Sequence, residues 1–551
     1  MRGNRAFLLL AGALSWATPP DFTNDVQPIL RKRCVMCHNE RTAQNGLRLD
    51  DPSKLIEGGY SGAVITAGDS GASKLVERIT STKKGFMMPP AGAPLTPAEI
   101  ETIRSWIDAG APVPKTAPPA AAKTVLSDHW AFRPIRKPQP PAAGPAGWAR
   151  NEIDRFILAR LAQEKILPSP EAARRTLIRR VSLDLTGLPP APERIRLFLE
   201  DQRPDAYERL VDELLASPHY GEQRARAWLD LARYADSDGY EKDLGRPYAW
   251  RWRNYVIDSF NQDKPFDQFT REQIAGDLLP ERKTEQLVAT GFHRNALTNR
   301  EGGTDPKESR FEQLVNRTNT VGTVWLGLTY GCAQCHDHKY DPISQKNYYQ
   351  LLAFFNQAEE VDVDAPMPGE HGAWLRARPK YLKEREHLKW VYEVEALQDE
   401  WENFIRKAMD TPGQDLEWDF AVANSRPMFD RFDEVLRTPK QKRSERDQER
   451  LFYWFINSPG PIKQDERDGQ KILALREMRQ RLAMIEAGTP KLTQAPAMRE
   501  IEEPVETHIA IKGDYRERGL RVTPGVPAVL PPLGAGNRAT MRASSCRASR
   551  R

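Results

Sequence analysis

Beyond its N-terminal end the chain has no apolar run approaching the roughly 18 residues a membrane helix needs, so nothing downstream reads as a span. Cysteine is scarce: five in 551 residues cannot staple a disulfide-built scaffold. Methionine is missing altogether between Met88 and Met367, so that long stretch has no thioether to offer a metal. A true excess of one charge is also missing. The formal +5 rests on the two ends, where Arg2 and Arg5, and then Arg538, Arg542, Arg547, Arg550 and Arg551, stand without an acid nearby. The remainder is slightly acidic, which excludes a basic nucleic-acid surface. A single core is excluded by length, and roughly three domains are expected.

What is present begins with a targeting pattern. Arg2 and Arg5 precede the apolar stretch Ala6–Leu14, and Ser15-Trp16-Ala17 offers a small-x-small cleavage site. Residues 1–17 therefore read as a signal peptide, and the protein as periplasmic or otherwise exported. Four of the five cysteines form two CxxC pairs, Cys34/Cys37 and Cys332/Cys335, each followed at once by a histidine, His38 and His336. An exported protein can hold CxxC pairs as disulfides, but the following histidine makes the c-type haem attachment pattern. The cysteines form thioethers and the imidazole faces the iron.

The surroundings of the first CxxCH strengthen it. Phe22, Val26, Ile29 and Leu30 fall on one helical face, with Asn24 or Thr23 as a cap and Pro28 predicting a short or bent helix. Downstream, Leu95-Thr96-Pro97-Ala98-Glu99-Ile100 carries a capping box, a first-turn proline and a hydrophobic staple. Ile100, Ile103 and Ile107 then form a stripe that ends at Gly110. Two helices bracketing a CxxCH enclose a haem in a small cytochrome c. No histidine lies between His38 and His129, and Met36 sits inside the attachment loop. The sixth ligand is therefore expected from Gly85-Phe86-Met87-Met88-Pro89-Pro90, with Met88 preferred over Met87.

Asp21–Val113 resembles the planctomycete-type cytochrome c domain. The likeness rests on Pro28-Ile29-Leu30, Cys34–His38, Gly46-Leu47-Arg48-Leu49-Asp50, Met88-Pro89-Pro90 and Leu95–Gly110. About Asp128–Gln357 resembles the second planctomycete-type cytochrome family. It shares His129-Trp130-Ala131-Phe132, Asp184–Pro190, Trp228–Asp236, Gln273–Asp277 and the segment around Cys332–His336. That resemblance implies haem c at Cys332, Cys335 and His336.

The residues alone leave the second centre open. His338 lies too close to His336 to cross a porphyrin ring. His129, His219 and His293 remain as sixth ligands, with His293 the first choice. A zinc site built from Cys332, Cys335, His336 and His338 is the competing reading, and a disulfide the third. The acidic and aromatic run Tyr234–Glu241 with Trp250-Arg251-Trp252-Arg253 lines either a substrate cleft or, more plainly, a loop and an amphipathic helix.

The whole is expected to be mainly α. A haem domain spans residues 20–113, a Pro/Ala-rich linker 114–147, and the second cytochrome domain 148–362. A charged helical region at 363–500 reads as a solvated hairpin. The start of a truncated domain follows at 501–533, then a disordered basic tail at 534–551. The function read from this is electron transfer to a redox partner protein through one haem c, with a second open. The alternative is an exported enzyme or binding protein with an accessory cytochrome domain. Thioether ligation raises haem potential, so electrons would run from the second centre to the first across the linker, at a rate sensitive to its length.

Overall fold

The computed structural model describes residues 19–40, 42–114, 129–142, 147–299, 304–429, 431–460, 466–501 and 504–531. The expected signal peptide at 1–17, the expected tail at 534–551, and residues 115–128 and 143–146 of the expected linker lie outside the described residues. The fold is mainly α, with four short strands among the described residues. No helix there is long and apolar enough to cross a membrane. Two compact units divide the chain. One gathers residues up to 132, 329–354 and from 505 onward; the other gathers 133–328 and 355–504.

In the first unit, helices α1 (Gln27–Arg33), α2 (Pro52–Glu57), α3 (Lys74–Thr80) and α4 (Pro97–Asp108) surround one core. Phe22, Val26, Leu30, Leu49, Ile103, Trp106 and Ile107 are buried in it. The α4 start follows the sequence expectation. Thr96 Oγ1 accepts from the Glu99 amide and the Glu99 carboxylate accepts from the Thr96 amide, with Pro97 in the first turn. At the first helix the cap is Asp21, not Asn24 or Thr23, its side chain accepting from the Asn24 amide. The chain starts as one wide turn, Phe22–Val26, and tightens into α1 with Pro28 in its opening turn. Arg33 closes the bundle by a two-pronged pair with Glu99, 2.9 and 3.2 Å. That contact and the Thr96 amide hold the Glu99 carboxyl down to about 2.

The same unit takes in the second CxxCH and a C-terminal hairpin, Thr507–Ala510 paired antiparallel with Arg518–Val522. Helix Gln345–Phe355 follows that CxxCH. Ser344 Oγ accepts from the Asn347 amide, and the Asp337 carboxylate accepts from the Gln345 amide at 2.7 Å. An acid at a helix N-terminus satisfies an orphan donor and complements the helix dipole.

The second unit is a helical assembly with one strand pair, Ala358–Asp364 against Gln494–Glu500. Residues 370–487 are not a solvated hairpin. Helices Glu370–Val391, Val394–Asp410, Leu416–Met428, Phe432–Arg437, Glu445–Asn457 and Glu466–Ala487 share a core of their own. The charge run hid a stripe at helical spacing, Val394, Leu397, Trp401, Ile405 and Ala408, all buried. One ion pair, Arg443 with Glu402, lies inside, both side chains 2 % exposed.

Candidate functional site

At the first CxxCH, Cys34 ends α1, its amide donating to Leu30 O at 2.8 Å. The loop then turns back under local restraint. The Asn39 amide nitrogen donates to Val35 O at 2.7 Å, and Thr42 Oγ1 to Cys37 O at 3.0 Å. Cys34 packs against the core, and burial pushes its thiol up to about 11. His38 is half-buried. Burial lowers its pKa, with the backbone of Leu47 and Gln44 working the other way. Burial thus favours the neutral ring, the form a metal ligand must have. Its Nδ1 is buried without a hydrogen-bond partner. Met36 is 83 % exposed, while Met87 and Met88 are both half-buried. The Met88 amide donates to Arg78 O at 2.9 Å, and Arg78 also donates to Phe86 O and stacks over its ring at 3.6 Å. The methionine loop is thus tied to the end of α3.

The second CxxCH lies on a short turn, Tyr330–Gln334, with Cys332 and Cys335 exposed. The two histidines after it are set differently. His336 Nδ1 stands 2.7 Å from Asp337 O. A carbonyl only accepts, so Nδ1 carries the proton and Nε2 keeps its lone pair. This is the tautomer that outer partners impose on metal-ligating histidines. His338 is 4 % exposed, and its Nδ1 accepts from the Tyr340 and Asp341 amides at 3.2 and 2.7 Å. Its Nε2 lies 3.2 Å from Thr329 Oγ1. Both ring nitrogens are engaged, and a zinc ligand at His338 would have to give these bonds up.

Behind this turn Tyr330, Tyr348 and Tyr349 are fully buried. Tyr330 stacks on Tyr348 at 5.5 Å, and Tyr349 donates to Gln334 O at 3.1 Å. Burial raises all three phenols. All four described cysteines are free thiols; Cys546 lies outside the described residues. The donor sets at both turns, two free thiols and one imidazole in five residues, fit covalent haem c.

Residues 34–92 match the family described as Planctomycete cytochrome C (PSCyt1). Residues 152–360 match the family described as Protein of unknown function, DUF1549 (PSCyt2). The two family matches thus follow one another in tandem along the chain. Comparison with curated proteins and with solved structures gave no match. The PSCyt1 match opens at Cys34, and the PSCyt2 match contains the whole second CxxCH.

His293, the first choice for a sixth ligand at the second centre, belongs to the other compact unit. It is 4 % exposed, its ring between Phe292 and Phe355 at 5.3 and 5.2 Å. Its Nε2 lies 3.4 Å from Ile274 O and its Nδ1 is buried without a partner. His129 and His219 are exposed. The acidic run beside Trp250 is bound up in structure. Asp238 pairs with Arg246 at 2.9 Å, Tyr234 donates to Asp236, and Trp252 is buried against the Tyr234 ring. Asp337, which directly follows the CxxCH, was missed in the sequence: its carbonyl sets the His336 ring and its carboxylate holds the Gln345 amide.

His293 gives a pH prediction. Burial first, then Arg317, lowers it from its ordinary 6.5 to about 3. The unfolded chain therefore binds one more proton between those values, and the stabilising contribution is complete above about pH 6.5 and lost as pH falls. The slope is about 1.4 kcal/mol per pH unit. Relative to His293→Phe, the wild type should lose about 2 kcal/mol between pH 6.5 and pH 5. Urea midpoints of both chains at several pH values measure it; a difference that stays flat would sink the prediction.

Proposed function

We propose that the chain is an exported c-type cytochrome that carries electrons between redox partner proteins. The observation that carries this reading is the first CxxCH, set at the end of a core-forming helix at the very start of the PSCyt1 match. Cys34 and Cys37 are the thioether residues, His38 the proximal ligand, and Met88 on its pinned loop the sixth. Covalent haem supplies a one-electron iron couple when bound. The protein's part is to fix its ligands and bury them. Burial of His38 favours the neutral imidazole, and the core around Trp106 packs against Cys34.

Cys332, Cys335 and His336 hold the second haem. Support comes from the Asp337 carbonyl, which leaves His336 Nε2 free while His338 is tied up elsewhere. Expressed in a host with cytochrome c maturation machinery, the full chain should give two haems in a pyridine haemochrome assay. One haem together with zinc in elemental analysis would return the second turn to a metal site. No covalent haem at all would reject the whole reading.

A further inference from the structure

Neither cytochrome segment holds the other through sequence neighbourhood: the first stretch of the unit ends at residue 132 and the second CxxCH begins at Cys332, yet both lie in one unit with the C-terminal hairpin. The hairpin touches both. Toward the first segment, the Leu520 amide donates to Tyr60 O at 2.8 Å. Gly519 lies so close that a Cβ there would stand 2.0 Å from Tyr60 O and 3.2 Å from Ile509 O. Toward the second, Ala510 O accepts from Gln345 Nε2 at 3.3 Å and from the Tyr349 hydroxyl at 3.4 Å. The turn at Gly513, φ +83°, brings its backbone against Cys335, where a Cβ would stand 2.6 Å from Sγ. The Gly525 amide adds a bond to Gln350 O at 3.1 Å. The Tyr60 side chain points the same way. It is buried, its ring covers Gly46, and its phenol interacts with Asp337, Ser344 and the Lys346 amide.

We propose that the hairpin Thr507–Val522 clamps the two CxxCH segments into one electron-transfer unit, so that electrons pass between them at fixed geometry. This rests on the reading of both segments as haem sites. The step moves one electron, with the second centre oxidised as the first is reduced, and it forms or breaks no bond; partner proteins supply and remove the electron. Residues 505–531 then serve the cytochrome unit. Two glycines are demanded by the clamp: at 513 for its positive φ and its approach to Cys335, at 519 for its approach to a carbonyl oxygen.

A haem-independent test uses the full chain with a specific protease site placed within residues 115–128. After cutting, the two pieces should still co-elute on size exclusion, and separation of the wild-type pieces would overturn the clamp. In Gly519→Ala the dissociation constant between the pieces should rise at least about tenfold; no change would show that the hairpin is not the clamp. Hydrogen exchange on the uncut wild type removes any doubt from misfolding of the variant. The Leu520 amide should be as protected as those of α4, and fast exchange there counts against the proposal. In the loaded protein, lengthening residues 115–128 by about ten residues should leave electron exchange between the centres unchanged within about twofold, whereas a tethered swing would slow it. If only one haem is found, the functional reading of the second turn fails, while the co-elution result still decides the clamp.

Discussion

Glu402→Ala is expected to destabilise the charged helical part of the second unit by about 3–5 kcal/mol, the cost of leaving a buried charge without its partner. Arg443 meets Glu402 with both arms, at 2.8 and 2.7 Å, and both side chains are 2 % exposed. Arg443 Nε also donates to Thr438 O at 2.9 Å, so the guanidinium is held in place and cannot swing out to water. Gln398 donates to the same carboxylate at 3.2 Å. Surface pairs nearby, such as Arg426 with Asp433, should cost under about 1 kcal/mol when broken. The double change Glu402→Leu with Arg443→Met should recover most of the loss, because no charge is then stranded. Calorimetry of the full chain reads this, in the transition that carries residues 370–487. An equal loss in the double variant would mean that packing, not charge, carries the effect.

That ion pair also marks a limit of reading the sequence. Glu402 and Arg443 are separated by 41 positions in a run where nearly every third residue is charged, and nothing local singles them out. Counting charge predicted a solvated hairpin, while the core was written in the spacing of Trp401, Ile405 and their neighbours. The first CxxCH domain was far more legible, because its signals are local. Thr96, Pro97 and Glu99 build a helix start within four residues, and Leu95 is buried as a staple must be. Asp21 was missed as the cap because the first turn is wide and begins earlier than an ordinary helical spacing suggests. At the second CxxCH the cysteines and His336 were visible. The distinction between His336 and His338 was not, since it depends on which backbone groups face each ring. Least legible was the gathering of residues 329–354 and 505–531 with the N-terminal residues. The contacts that do it, Leu520 to Tyr60 and Ala510 to Tyr349, join positions hundreds of residues or more than a hundred apart, mostly through backbone groups that every residue possesses.

Serine at both Cys34 and Cys37 is expected to abolish covalent haem at the first turn, while serine at both Cys332 and Cys335 should abolish it at the second and spare the first. Each pair of substitutions thus removes one haem per chain, and the two sets together remove all stain from a denaturing gel. The effect is all-or-none because a thioether needs the sulfur and a hydroxyl forms none. Stability should respond less: Cys34 is only half-buried and Cys335 is exposed. The two single-haem proteins then separate the potentials. The first cytochrome segment offers Met87 and Met88 as thioethers, the Met88 amide bonded to Arg78 O, whereas the sequence has no methionine from Pro89 to Pro366. Thioether ligation raises a haem potential and imidazole does not. The protein keeping only the first haem should therefore titrate as the higher of the two waves seen in the wild type, and the one keeping only the second as the lower. In the former, Met88→Ala should remove the weak long-wavelength band of ferric thioether-ligated haem and lower the wave. Loss of that band in Met87→Ala, with survival in Met88→Ala, would move the ligand by one residue and leave the order of potentials standing. Reversed order in the two single-haem proteins would overturn the direction of electron flow itself.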